Sequence, residues 1–143
     1  MSRRMSVAMT LDSVRNRTKT VTRRHVGSWR DLKAGDRLTL VEKGQGLPKG
    51  GKQVVIAEVE VVDVRVEPLR DVTVGEVRRE GLYDEIYRQA YASHPGPTWD
   101  HLVPELFNAL WLRGHGYQPT VANATTVECR RIEWRYLDED GAR

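Results

Sequence analysis

With 143 residues the chain is most simply one domain, long enough to bury a sizeable core. Its only cysteine, Cys129, excludes an internal disulfide, and its apolar runs are far short of the roughly 20 residues of a membrane span. The net charge of +3 hides an asymmetry: residues 1–33 hold nine Lys or Arg against two Asp, giving +7, and the rest of the chain carries −4. So concentrated a positive potential suits an anion-binding face.

Met5, Val7 and Met9 alternate with small or polar neighbours, which predicts a short strand. Thr10 then caps a brief helix to about Arg15, with Asp12 in its first turn. The run from Arg15 to Arg24 packs five cations and three hydroxyls into ten residues with no acid among them. Its Thr and Val residues favour an extended strand, and its charge calls for an anionic partner such as phosphate. Arg15, Arg17, Arg23 and Arg24 are therefore expected to bind nucleic acid or nucleotide, and a solvated edge strand is the alternative. Trp29 sits in a turn close behind, where it either packs on the barrel end or stacks on a base.

Leu38 and Leu40 begin the next strand, whose parity places Glu42 inside, beside a cation or at a wet end. Lys43 is expected to join the basic site from this strand, and the glycines between 44 and 51 read as hairpin turns. Residues 53–67 form the clearest strand, with Val59, Val61, Val64 and Val66 facing inward and a bulge at Val61-Val62. Thr73-Val74-Gly75-Glu76 has capping-box spacing, so a helix runs from there to about Glu80 and stops at Gly81. Leu82, Ile86 and Ala90 make an apolar row beside Tyr83, Tyr87 and Tyr91, which reads as partial core, partner surface or stacking platform. Asp100 caps a further helix whose buried face is Val103, Leu106, Phe107, Leu110 and Trp111. A strand from Thr125 to Leu137 closes the fold, with Ile132, Trp134 and Tyr136 on one face. Helices grouped late among the strands indicate a small α+β mixed barrel rather than a parallel sheet.

His25, His94, His101 and His115 stand in no ligand pattern, so no metal site and no cofactor are expected. The glycine-rich loops lack P-loop spacing, and there is no nucleophile elbow of the Gly-x-Ser-x-Gly kind. The N-terminal arginines are not followed by the apolar segment of a signal peptide, so a cytoplasmic location is expected.

The Thr18-to-Arg24 run, the Leu32-to-Asp36 turn, the long valine-rich strand, the short Glu-ended helix and the Ile132-to-Leu137 strand together resemble an ASCH domain, a branch of the PUA-like barrels. The resemblance covers roughly residues 5–82 and 125–137 of a single domain spanning 1–143, with a helical insertion at about 83–124. It implies RNA binding or, as in some bacterial members, hydrolysis, including ribonuclease action. One small branch removes the acyl group from N4-acetylcytidine with a Lys, a Thr and a Glu, without metal. Its Gly-x-Lys-x-x-Thr-x-Arg pattern falls here on Arg17, Lys19, Thr22 and Arg24, with the Glu at Glu80; Arg17 replaces the glycine. The resemblance thus implies Lys19, Thr22 and Glu80 as catalytic residues and RNA or a modified nucleoside as partner. Chemically, a lysine made less basic by Arg17, Arg23 and Arg24 would deprotonate Thr22. Residues three apart on a regular strand face opposite ways, so the pair converges only if the strand bulges or Lys19 precedes it. A protein-interaction module built on the tyrosine row is the remaining alternative.

Overall fold

The computed structural model describes residues 3–42, 54–93 and 100–137. Its strands are β1 (Arg3–Ser6), β2 (Val21–His25), β3 (Arg37–Val41), β4 (Val55–Pro68) and β5 (Glu128–Tyr136). They form one mixed sheet in the order β1-β3-β4-β5-β2, parallel only between β1 and β3. The sheet curls into a half-barrel and leaves β1 and β2 as its two edges. What bends it is β4, a long strand whose register against β5 shifts between Val61 and Asp63, at the expected bulge.

Past that shift the inward parity changes. Val59 and Val61 are fully buried, Val64 packs only partly against the core, and Val66, expected inside, is exposed. Glu67 takes the inward place because arginines await its carboxylate there. Met9 also departs from expectation: β1 ends at Ser6, and Met9 lies on a 3-10 turn with its side chain in the open.

Helix α1 (Leu11–Arg15) follows, and Thr10 precedes it without a side-chain capping bond. Helix α2 (Val74–Glu80) forms as its sequence dictates: Thr73 Oγ1 accepts from the Glu76 amide, and Gly81 ends the helix at φ 80°. The segment read as an insertion holds α3 (Tyr83–Ser93), α4 (Val103–Gly114) and α5 (Val121–Thr126). Asp100 does not cap α4. It is the first residue of a 3-10 turn and accepts a hydrogen bond from the Tyr83 hydroxyl instead. Thr125 and Thr126, expected in the last strand, belong to α5, which Thr120 caps at the Asn123 amide.

Two cores result. One fills the half-barrel with Met5, Val14, Leu38, Leu40, Val59, Val61, Ile132 and Trp134. The other joins the helices to the far ends of β4 and β5 through Leu69, Val77, Ile86, Phe107, Trp111 and Cys129. No helix among the described residues is long and apolar enough to cross a membrane.

Candidate functional site

Because the sheet does not close, a seam runs between β1 and β2, and a cavity of about 290 Å³ opens there. Ser6, Val7 and the 3-10 turn supply one wall, and Lys19, Thr22 and Arg24 supply another. Arg23, Glu80, Leu82 and His115 complete the lining. Across the seam, Arg24 Nη2 donates to the Ser6 carbonyl (2.8 Å). Arg24 Nε also donates to Thr22 Oγ1 (3.3 Å), so the guanidinium braces the hydroxyl.

Lys19 precedes β2, which frees it from strand alternation and lets it share a wall with Thr22. The loop that delivers it depends on Arg17, whose φ of 64° lies in the left-handed region that a glycine occupies without strain. Trp134 Nε1 (3.1 Å) and the Tyr136 hydroxyl both donate to the Lys19 carbonyl and fix the loop from β5. From the other side, the Thr20 amide donates to the Arg79 carbonyl at the end of α2 (2.8 Å).

The Lys19 ammonium donates to Glu80 twice, to the backbone carbonyl (2.7 Å) and to Oε1 (3.3 Å). Lys19 is 3% exposed, and this burial lowers its pKa from the ordinary 10.5. Glu80 opposes the shift; Arg24 and Arg23 reinforce it. Arg17, expected to act with them, holds its guanidinium over the Tyr136 ring. Close approach at Gly81 makes the Lys19–Glu80 contact possible: a Cβ there would stand 2.5 Å from Ser13 Cβ and 3.1 Å from Lys19 Cβ. Ser13 Oγ donates to the Gly81 carbonyl and locks α1 against this corner (2.8 Å).

Arg23 takes a different course from its expected nucleic-acid role. Its side chain has no exposed surface and is gripped by Glu80 (3.0 Å), Glu67 (3.0 Å) and Glu76 (2.6 Å). Burial works against its charge, but the three carboxylates outweigh that and raise its pKa. Arg131 adds two hydrogen bonds to Glu76 (2.6 and 3.2 Å) and one to Glu133 (2.9 Å). Burial pulls the Glu76 carboxyl upward, yet Arg131 and Arg23 bring it down to about 2.

The other expected nucleic-acid contacts lie apart from the cavity. Arg15 is exposed near Asp12 and Glu42 (3.8 and 4.0 Å), and Arg17 is exposed beside Tyr136. Trp29 packs on the half-barrel core with the Arg3 guanidinium 4.4 Å from its ring, which accounts for it without a base. Lys43 and the turns between 44 and 51 fall outside the described residues. Among the described residues no three His, Cys, Asp or Glu side chains gather as metal ligands would.

Reading the sequence missed His115, Ser6 and the Glu67–Glu76–Arg131 cluster. No local signal marks them, because each reaches its place through strand pairing or helix docking.

No family model matches the sequence, and neither does any curated protein. Solved structures do match the fold. An ASCH domain from Lactobacillus crispatus JV V101 aligns over 94% of this chain and 79% of its own length, with a TM-score of 0.51 and 11% identity. The fold is that of an ASCH domain. A protein from Enterococcus faecalis V583, of the family called DUF984, aligns over 89% of this chain and 69% of its own, with a TM-score of 0.48 and 15% identity. The expected PUA-like α+β architecture is therefore the one present, as a half-barrel with an open seam.

Proposed function

We propose that the seam cavity of this ASCH-fold chain binds a pyrimidine nucleoside and that the chain hydrolyses an acyl amide on its base, as in N4-acetylcytidine. One observation carries the reading: a buried lysine whose burial lowers its basicity, a hydroxyl and a carboxylate line the same small cavity. A site of about 290 Å³ suits one nucleoside better than a strand of RNA.

In this reading the neutral Lys19 amine takes the Thr22 proton as Oγ1 attacks the acyl carbonyl. Arg24, already donating to Oγ1, favours the negative charge that develops on it. Glu80 holds the Lys19 ammonium so formed. Collapse breaks the carbon–nitrogen bond, and Lys19 returns its proton to the leaving amine. Water then adds to the Thr22 ester and gives a proton to Lys19; the acyl carbon–Oγ1 bond breaks, Lys19 returns that proton to Oγ1, and the carboxylic acid departs.

The test is incubation of the purified protein with N4-acetylcytidine in the presence of EDTA, with chromatography of the products. Cytidine and acetate are expected from the native chain and not from Lys19→Ala or Thr22→Ala. Absence of cytidine with the native chain overturns the hydrolase reading, and cleavage or capture of labelled RNA in a parallel arm would replace it.

A further inference from the structure

The helical segment also puts a residue in the cavity, His115, directly after α4. Its Nδ1 lies 2.8 Å from the Trp111 carbonyl oxygen. A carbonyl oxygen only accepts, so Nδ1 carries the hydrogen and, in the neutral ring, Nε2 is an acceptor. The ring also stacks on Trp111, with centroids 3.8 Å apart and planes 17° from parallel. Trp111 is in turn fixed to β2, since its indole nitrogen donates to the Arg23 carbonyl (3.0 Å). His115 is thus exposed yet held in place on two counts.

Depth within the cavity orders what a ligand meets. Lys19 and Thr22 are 3% and 5% exposed and form its floor, whereas His115 stands at its rim. A nucleoside with its base amide against the floor extends its sugar to the rim. We propose that His115 determines specificity here: its Nε2 accepts a hydrogen bond from a sugar hydroxyl and selects the nucleoside over the free base. The inference rests on the nucleoside reading of the same cavity.

The test is titration calorimetry of the whole chain with cytidine and with cytosine, using the native protein, His115→Phe and His115→Gln. One hydrogen bond predicts that the native protein favours cytidine by about five- to tenfold. Phenylalanine keeps the stacking on Trp111 without the acceptor, so the preference falls to about unity. Glutamine restores an acceptor and part of the preference, and circular dichroism checks that both variants fold. Equal binding of cytidine and cytosine by the native protein, no binding of either, or an unchanged preference in His115→Phe each overturns the inference. A His115-dependent preference without hydrolysis of N4-acetylcytidine would sink the hydrolase reading alone. Hydrolysis without that preference would sink this inference alone.

Discussion

Arg23 and Arg24 are neighbours on β2, and the alternation of a strand sends them to opposite faces. Arg23 enters an ion-pair network with Glu67, Glu76 and Glu80, in which Lys19 also pairs with Glu80 and Arg131 with Glu76. Arg24 turns to the seam, where its partners are a hydroxyl and a backbone carbonyl and its charge meets no carboxylate at salt-bridge distance among the described residues. The first arginine is tied up in ion pairs; the second faces the seam cavity. Equal residue type and equal charge therefore say little about which cation serves an anion, and the supply of carboxylates on each face decides it.

The contrast can be broken most severely at the floor of the cavity. Lys19→Ala or Thr22→Ala is expected to reduce turnover of N4-acetylcytidine on the order of a thousandfold or more, measured as kcat/KM, because the pair acts as a unit.

Next come the two arginines. Arg23→Ala leaves buried carboxylates without their cation and should cost about 3–5 kcal/mol in urea unfolding. Arg24→Ala should cost only about 1 kcal/mol by the same measurement, with its main effect on turnover. Equal losses of stability would erase the distinction between the faces.

A pH series sharpens it further. The native kcat/KM should rise with pH along a limb centred below 10.5, because burial lowers the Lys19 pKa and only its neutral amine accepts the proton. Glu80→Gln removes the group that opposes this lowering, so the limb should move to lower pH. Acid unfolding reports the other face: the Glu76 carboxyl is depressed from 4.5 to about 2, so its contribution is complete above 4.5 and disappears as pH falls toward 2. Glu76→Gln should flatten the stability profile across that window.

The smallest effect is expected at Arg17. Arg17→Gly relieves the left-handed strain but adds freedom to the unfolded chain, for a net gain of under about 1 kcal/mol in thermal unfolding. A loss of stability would show that the Arg17 contact with Tyr136 outweighs the strain.

Features set by short-range rules were legible in the sequence. Thr73, Glu76 and Gly81 define α2 by capping, and the doubled valine at 61–62 marks the bulge in β4. Lys19, Thr22 and Glu80 were legible as a set only through family resemblance, since 61 positions separate Lys19 from Glu80. Helix α5 was not legible, because Val121–Thr126 carries β-branched and polar residues with no apolar period and exists by packing and a threonine cap. The inward turn of Glu67 and the burial of Arg23 were hidden for another reason: each is favourable only once the other is present.

Gly81 gives the molecule a dimensional tolerance. The corner where α1, the Lys19 loop and the end of α2 meet has no room for a single added carbon, so the reach of the amine to Glu80 is set by an absent side chain. Glu80 and Gly81 thus behave as one two-residue part, the first bearing the charge and the second setting the clearance. Any redesign that treats the glycine as a mere helix terminator will wedge the amine and carboxylate apart while leaving every charged residue in place.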